Sequence, residues 1–203
     1  MKGLYIVTPD WDDTEKLVNA TEQAIQGGAT IVQYRHKTAT MDLRREQAKA
    51  LQSLCKRYKV PFIINDHVDL AIELNTDGIH VGESDEAVAS VRARVGKDKI
   101  VGASCYGEMD LVRKAYQAGA SYIAFGGFYP SRVKKYEFTT PLDIVVEMKK
   151  ELPDFPACAI GGMTPENSAP LVERGVDMIC AVSGVYFQED PKAAAQAFAK
   201  LFA

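Results

Sequence analysis

Gly119-Ala120-Ser121-Tyr122-Ile123-Ala124-Phe125-Gly126-Gly127 contains the unit from which the chain is built. An amphipathic stretch precedes Gly119, an apolar run of strand length follows it, and glycine returns at the far end. Glycine is the natural left-handed stop of a helix. A short apolar run between turn residues reads as a strand buried on both faces. The same opening recurs at Gly28-Ala29-Thr30-Ile31 and at Gly175-Val176-Asp177-Met178-Ile179.

Read outward from that unit, strands are predicted at Leu4–Val7, Thr30–Tyr34, Pro61–Ile64, Gly78–Val81, Ile100–Ala103, Tyr122–Phe125, Ala157–Ile160 and Met178–Val182. Helices are predicted near Thr14–Gln26, Asp42–Tyr58, Val68–Leu74, Asp85–Val95, Met109–Ala118, Leu142–Leu152, Pro165–Arg174 and Pro191–Phe202. Eight strand–helix units imply an α/β chain, a single-domain (β/α)8 TIM barrel over residues 1–203. An open doubly wound sheet is the alternative.

The composition narrows the function. Among 203 residues, 47% are hydrophobic and 25% charged, which excludes a disordered or collagen-like chain. A net charge of -3 gives no broad basic footprint, so no nucleic-acid partner is expected. No apolar run approaches membrane-spanning length, and Met1-Lys2-Gly3-Leu4-Tyr5-Ile6-Val7 meets Thr8-Pro9-Asp10 too early for a signal peptide. A cytoplasmic enzyme with small-molecule substrates is the expectation, and a homo-oligomer stays open. Cys55, Cys105, Cys158 and Cys180 form no C-x-x-C pair and read as buried, reduced thiols.

Barrels of this type work at the C-terminal ends of their strands. The residues there are polar: Gln33-Tyr34-Arg35-His36-Lys37, Asn65-Asp66-His67, Gly82-Glu83-Ser84-Asp85, Ser104-Cys105-Tyr106, the segment from Gly126 to Lys134, Gly161-Gly162 and Ser183-Gly184. Gly161-Gly162, ahead of a helix start at Thr164-Pro165-Glu166, and Ser183-Gly184 suit a phosphate, although the glycines could serve only tight turns. Asp66 and Asp85 follow neighbouring strands and could share Mg2+, or could each cap a helix. Gln33, Arg35 and Lys37 have one parity and point one way, and with Lys134 they suit a diphosphate, or else are solvated surface charge. His67 and His80 have no Ser or Cys partner at motif spacing, and no triad is visible.

These segments resemble the thiamine phosphate synthase family. The resemblance lies in Leu4-Tyr5-Ile6-Val7-Thr8, Val32 to Lys37, Ile64 to Ala71, Asp77 to Asp85, Gly102 to Ser104, Phe128 to Lys134, Ala159 to Gly162 and Val182-Ser183, in that order along nearly the whole chain. It implies a (β/α)8 barrel that joins a pyrimidine diphosphate to a thiazole phosphate with Mg2+. By matching position it implies that Gln33, Arg35, Lys37, Asn65, Ser104 and Lys134 hold the pyrimidine diphosphate, with Arg35, Lys37, Ser104 and Lys134 acting in catalysis. It implies Asp66 and Asp85 as metal ligands, and Ser131, Gly162, Val182 and Ser183 around the thiazole phosphate. Tyr34, His36, Arg132 and Val133 fall inside the same motifs and are expected to contact substrate.

The chain departs from the family at Glu83, where Gln is common, His36, where Glu is common, and Val133, where a hydroxyl residue is usual. Lys135 to Thr140 is also bulkier than in relatives. A thiazole tautomerase, a sibling barrel, uses a His after the fifth strand, where this chain has Ser104-Cys105-Tyr106-Gly107. A non-catalytic phospho-ligand-binding protein is the rival from another class.

Overall fold

A computed structural model describes residues 1–82, 87–130 and 138–203. Its strands are β1 (Gly3–Val7), β2 (Ala29–Tyr34), β3 (Phe62–Asn65), β4 (Gly78–Val81), β5 (Ile100–Tyr106), β6 (Tyr122–Phe125), β7 (Ala157–Ile160) and β8 (Met178–Ala181). Helices α1 (Thr14–Gln26), α2 (Met41–Tyr58), α3 (Val68–Glu73), α4 (Val88–Val95), α5 (Met109–Gln117), α6 (Ile144–Glu151) and α7 (Pro165–Glu173) connect them. After β8 come a four-residue helix, α8 (Ser183–Tyr186), and α9 (Pro191–Ala199), which passes into a 3-10 turn at Lys200–Phe202. The strands pair in parallel and in sequence order, and β8 pairs with β1 to close the barrel. Closure excludes the open-sheet alternative. No helix among the described residues is long and apolar enough to cross a membrane.

Parity divides each strand between two cores. In β1, Leu4 and Ile6 face the helices, while Tyr5 and Val7 face the barrel interior with Ile31, Ile63, Tyr122, Ala124, Cys158, Met178 and Cys180. Both faces are buried, so the strands read in sequence as continuous apolar runs. The recurring glycines have positive φ, 111° at Gly28, 88° at Gly119 and 93° at Gly175, which turns each helix end into the next strand. All four cysteines are buried and free.

The amino ends of the strands are pinned by side chains. Asp77 accepts the Phe62 N–H at 2.8 Å, and Asp177 accepts the Ala157 N–H at 2.7 Å and the Lys149 ammonium at 2.7 Å. Helix starts are capped by Asp13, Thr40 and Asp190, and α7 has a reciprocal Thr164–Asn167 capping box.

One close approach in the interior decides a residue. A Cβ built on Gly102 would lie 2.1 Å from Tyr122 Cζ and 2.3 Å from its Oη. The Tyr122 ring therefore occupies the space of a missing side chain. Gly102→Ala is expected to cost roughly 2–3 kcal/mol through overpacking. In a chain of this length that lowers Tm by roughly 4–12 °C, which calorimetric unfolding would read. An unchanged Tm would mean that the ring has room to move.

Candidate active site

The C-terminal mouth of the barrel opens on a cavity of about 290 Å3. Gln33, Arg35 and Lys37 enter from β2 and the residues beyond it, Asn65 and Asp66 from the end of β3, and Ser104 and Tyr106 from β5. Gly161, Gly162 and Met163 follow β7 on the opposite rim, and Val182, Ser183 and Gly184 follow β8. The start of α8 lies at the rim, and the first N–H groups of any helix lack partners within it.

The cations at the mouth are held by carboxylates. Arg35 Nη1 donates to Asp10 Oδ1 at 3.2 Å, and the Lys37 backbone N–H donates to the same oxygen at 2.9 Å. Lys37 Nζ donates to Asp66 Oδ2 at 2.5 Å. Asp66 has φ 63° and lies one residue before His67, the N-terminal flanking residue of α3, which makes no side-chain cap bond. Asp66 is thus turned to the mouth in a left-handed conformation that Asp tolerates better than most residues. Tyr106 has φ 50°, just after a register shift between Ser104 and Tyr106 in the β5–β6 pairing. A bulge at a barrel rim re-aims side chains.

Beneath the cations lies a chain of polar side chains. Gln33 Nε2 donates to Tyr5 Oη at 2.6 Å, and Tyr5 Oη lies 2.6 Å from Tyr122 Oη. Tyr122 Oη lies 2.8 Å from His80 Nδ1, and His80 Nε2 lies 2.9 Å from Ser104 Oγ. Burial raises the ionisation of Tyr5 and Tyr122 well above the ordinary phenol range, so both keep their hydrogens. Burial does the same to the Cys158 thiol in the cavity wall.

Tyr34 and His36 lie apart from the other expected site residues. They have the opposite parity from Gln33 and Arg35 and lie outside the cavity lining. Tyr34 is 2% exposed and donates to Gln47 Oε1 of α2 at 2.8 Å. His36 pairs through Nε2 with Asp12 Oδ1 at 2.9 Å and accepts the Ala39 N–H through Nδ1. Both brace the β2–α2 connection. Asp85, Ser131, Arg132, Val133 and Lys134 lie outside the described residues, as does Glu83. Just beyond that segment, Thr140 is buried and donates to the Gly126 carbonyl at 2.5 Å.

Two features escaped the sequence reading. Asp10 belongs to Thr8-Pro9-Asp10, the segment after β1, and its place at a strand's C-terminal end was the available signal. His80 does have a serine partner, Ser104, 24 residues away on the neighbouring strand, which no motif spacing reveals.

The family model for thiamine monophosphate synthase matches residues 4–185. The chain belongs to that family. A thiamine-phosphate synthase of Janthinobacterium sp. (strain Marseille) is 60% identical over 203 residues, covering 100% of this chain and 98% of that protein. One from Thioalkalivibrio sulfidiphilus is 41% identical, covering 100% and 96%. The solved thiamine phosphate pyrophosphorylase of Pyrococcus furiosus superposes with a TM-score of 0.86 at 28% identity, covering 98% of this chain and 94% of that one. The chain is accordingly a transferase, of the thiamine-phosphate diphosphorylase kind.

The β2 parity gives a direct expectation. Tyr34→Phe removes the donor to Gln47, itself fully buried, at a cost of about 1–2 kcal/mol. Thermal unfolding should show that loss, while KM for each substrate stays as in the native protein. A raised KM with unchanged stability would return Tyr34 to the substrate site.

Proposed function

We propose that the chain joins 4-amino-5-hydroxymethyl-2-methylpyrimidine diphosphate to 4-methyl-5-(2-phosphoethyl)thiazole, or its carboxylated form, giving thiamine phosphate and diphosphate, with CO2 released as well when the thiazole is carboxylated. One observation carries this reading. Gln33, Arg35, Lys37 and Asp66 share a single cavity with Gly161, Gly162, Ser183 and Gly184. A cationic wall with a carboxylate suits a diphosphate, and a rim of glycine and helix-start N–H groups suits a monophosphate.

Asp66 fits Mg2+ by its chemistry. Its carboxylate is a hard donor at the mouth and already accepts a cation, the Lys37 ammonium. Asp66 and Asp85 would hold the ion, which when bound supplies positive charge to the phosphate oxygens of the leaving group. Arg35 and Lys37 would add theirs, with Lys134 from the segment after β6. Gln33, Asn65 and Ser104 would orient the aminopyrimidine. Gly162, Val182 and Ser183, together with Ser131, would seat the thiazole phosphate.

In the reaction the bond from the pyrimidine methylene to oxygen breaks, and its electron pair leaves with diphosphate. The aminopyrimidine ring delocalises the positive charge on the methylene. The thiazole nitrogen lone pair then forms the new carbon–nitrogen bond. No protein nucleophile is needed, so the side chains act by holding charge and by keeping the nitrogen near the methylene.

Incubation with both substrates and Mg2+, followed by mass detection, should yield thiamine phosphate and diphosphate. Isomerised thiazole phosphate alone would favour the tautomerase, and unchanged substrates a binding protein. Arg35→Ala and Asp66→Asn should each lower kcat by roughly 100-fold or more, as loss of a preorganised charge commonly does. KM for the thiazole phosphate should barely move. Loss of thiazole affinity at unchanged kcat would assign these residues to the wrong substrate.

A further inference from the structure

The chain of polar contacts beneath the cations has a direction. An amide nitrogen only donates, so Gln33 Nε2 gives its hydrogen to Tyr5 Oη at 2.6 Å. Among the described residues Tyr5 has one further hydrogen-bond partner, Tyr122 Oη at 2.6 Å, and its own hydrogen must go there. Tyr122 Oη now accepts from Tyr5, so its hydrogen goes to its other partner, His80 Nδ1 at 2.8 Å. That nitrogen is therefore bare. The hydrogen of the imidazole lies on Nε2 and goes to Ser104 Oγ at 2.9 Å. At the two ends, Gln33 Oε1 and the Ser104 hydrogen are engaged by no other described residue, and both side chains line the cavity.

We propose that Tyr5, Tyr122 and His80 are positioning residues, a polarised chain that presets Gln33 as an acceptor and Ser104 as a donor toward the substrate. Burial is what makes the arrangement firm. Tyr5 and Tyr122 are 1% and 0% exposed, and reversing one bond would leave a buried hydroxyl hydrogen without an acceptor. The rings are packed as well. Tyr5 meets Tyr122 edge-on with centroids 5.8 Å apart, and His80 stacks on Tyr122 at 5.6 Å. Tyr122 in turn sits over the bare Cα of Gly102. The two ends of the chain thus cannot choose their polarity separately: either both are as described, or every bond is reversed. This deepens the proposed function and rests on it for the ligand. An aminopyrimidine carries both an N–H donor and ring-nitrogen acceptors, the complement of this pair.

The first test needs no substrate. Nitrogen-15 correlation spectra of the imidazole rings report which nitrogen carries hydrogen, and the chain has only three histidines. Signals lost in His80→Gln identify His80. The native protein should show His80 with hydrogen on Nε2 and a bare Nδ1. Gln33→Glu puts an acceptor-only carboxylate at the far end, kept ionised by Arg35 and Lys37 on the same face. Every bond should then reverse, moving the hydrogen to Nδ1 although the path from residue 33 to His80 runs through Tyr5 and Tyr122. Native hydrogen on Nδ1, or no change in Gln33→Glu, would overturn the proposal. The second test is a cycle on kcat/KM for the pyrimidine diphosphate. Tyr122→Phe should lower it about tenfold, the worth of one ordered hydrogen bond, with the thiazole phosphate KM within about twofold of native. Because Tyr122 acts only through Gln33 and Ser104, adding Tyr122→Phe to the Gln33→Ala/Ser104→Ala double variant should cost no more than about another twofold. Fully multiplicative losses would contradict the relay, and so would an unchanged kcat/KM in Tyr122→Phe. A chain without synthase turnover would sink the proposed function alone, since the nitrogen spectra still decide the relay.

Discussion

Closure of the eight-stranded sheet is the constraint on which everything else depends. Once β8 pairs with β1, each strand residue belongs either to the interior or to the layer under the helices. Alternation then distributes chemistry as well as packing. In β2 and its extension, one parity sends Gln33, Arg35 and Lys37 over the cavity, and the other sends Tyr34 and His36 to the outer layer and the β1 loop. A slip of one residue would exchange the two sets. The Leu4–Ala29 pairing, followed by a shift before Tyr5–Ile31, shows where this register is adjusted.

The interior is not uniformly apolar, and its fully enclosed polar groups are matched among the described residues. Among the described residues no buried side-chain nitrogen or oxygen lacks a partner. The phenols of Tyr5 and Tyr122 and the ring of His80 would each be costly alone in the barrel floor, and bonded in series they are stable and stiff. That series spans the barrel from β2 to β5. The rim above it is organised differently, with Asp10 and Asp66 holding Arg35 and Lys37. An incoming diphosphate would replace carboxylates that already keep those cations extended, which lowers the entropy lost on binding.

The barrel was legible because parallel strands buried on both faces leave apolar runs, and because Gly28, Gly119 and Gly175 mark the entry to three of them. Helix α8 was not, since four residues carry no periodicity. At the site, parity alone groups Gln33, Arg35 and Lys37, which do line one cavity. The family resemblance blurred that grouping, because a contiguous motif includes Tyr34 and His36 without regard to which way they face. Asp10 belongs to no motif, and only its place just after β1 brings it to the mouth. The His80–Ser104 pair was hidden because its spacing is set by the register between β4 and β5, where His80 pairs with Gly102, two residues before Ser104.

The central claim is that one face of β2, together with Asp66, forms a diphosphate site. Titration calorimetry with inorganic diphosphate and Mg2+ measures it without the organic substrates. The native protein should bind, and Arg35→Ala should weaken binding at least tenfold, about 1.4 kcal/mol, the lower range for a hydrogen bond to a charged group. Equal affinity in the native and Arg35→Ala proteins, or no binding by the native protein, would contradict the account.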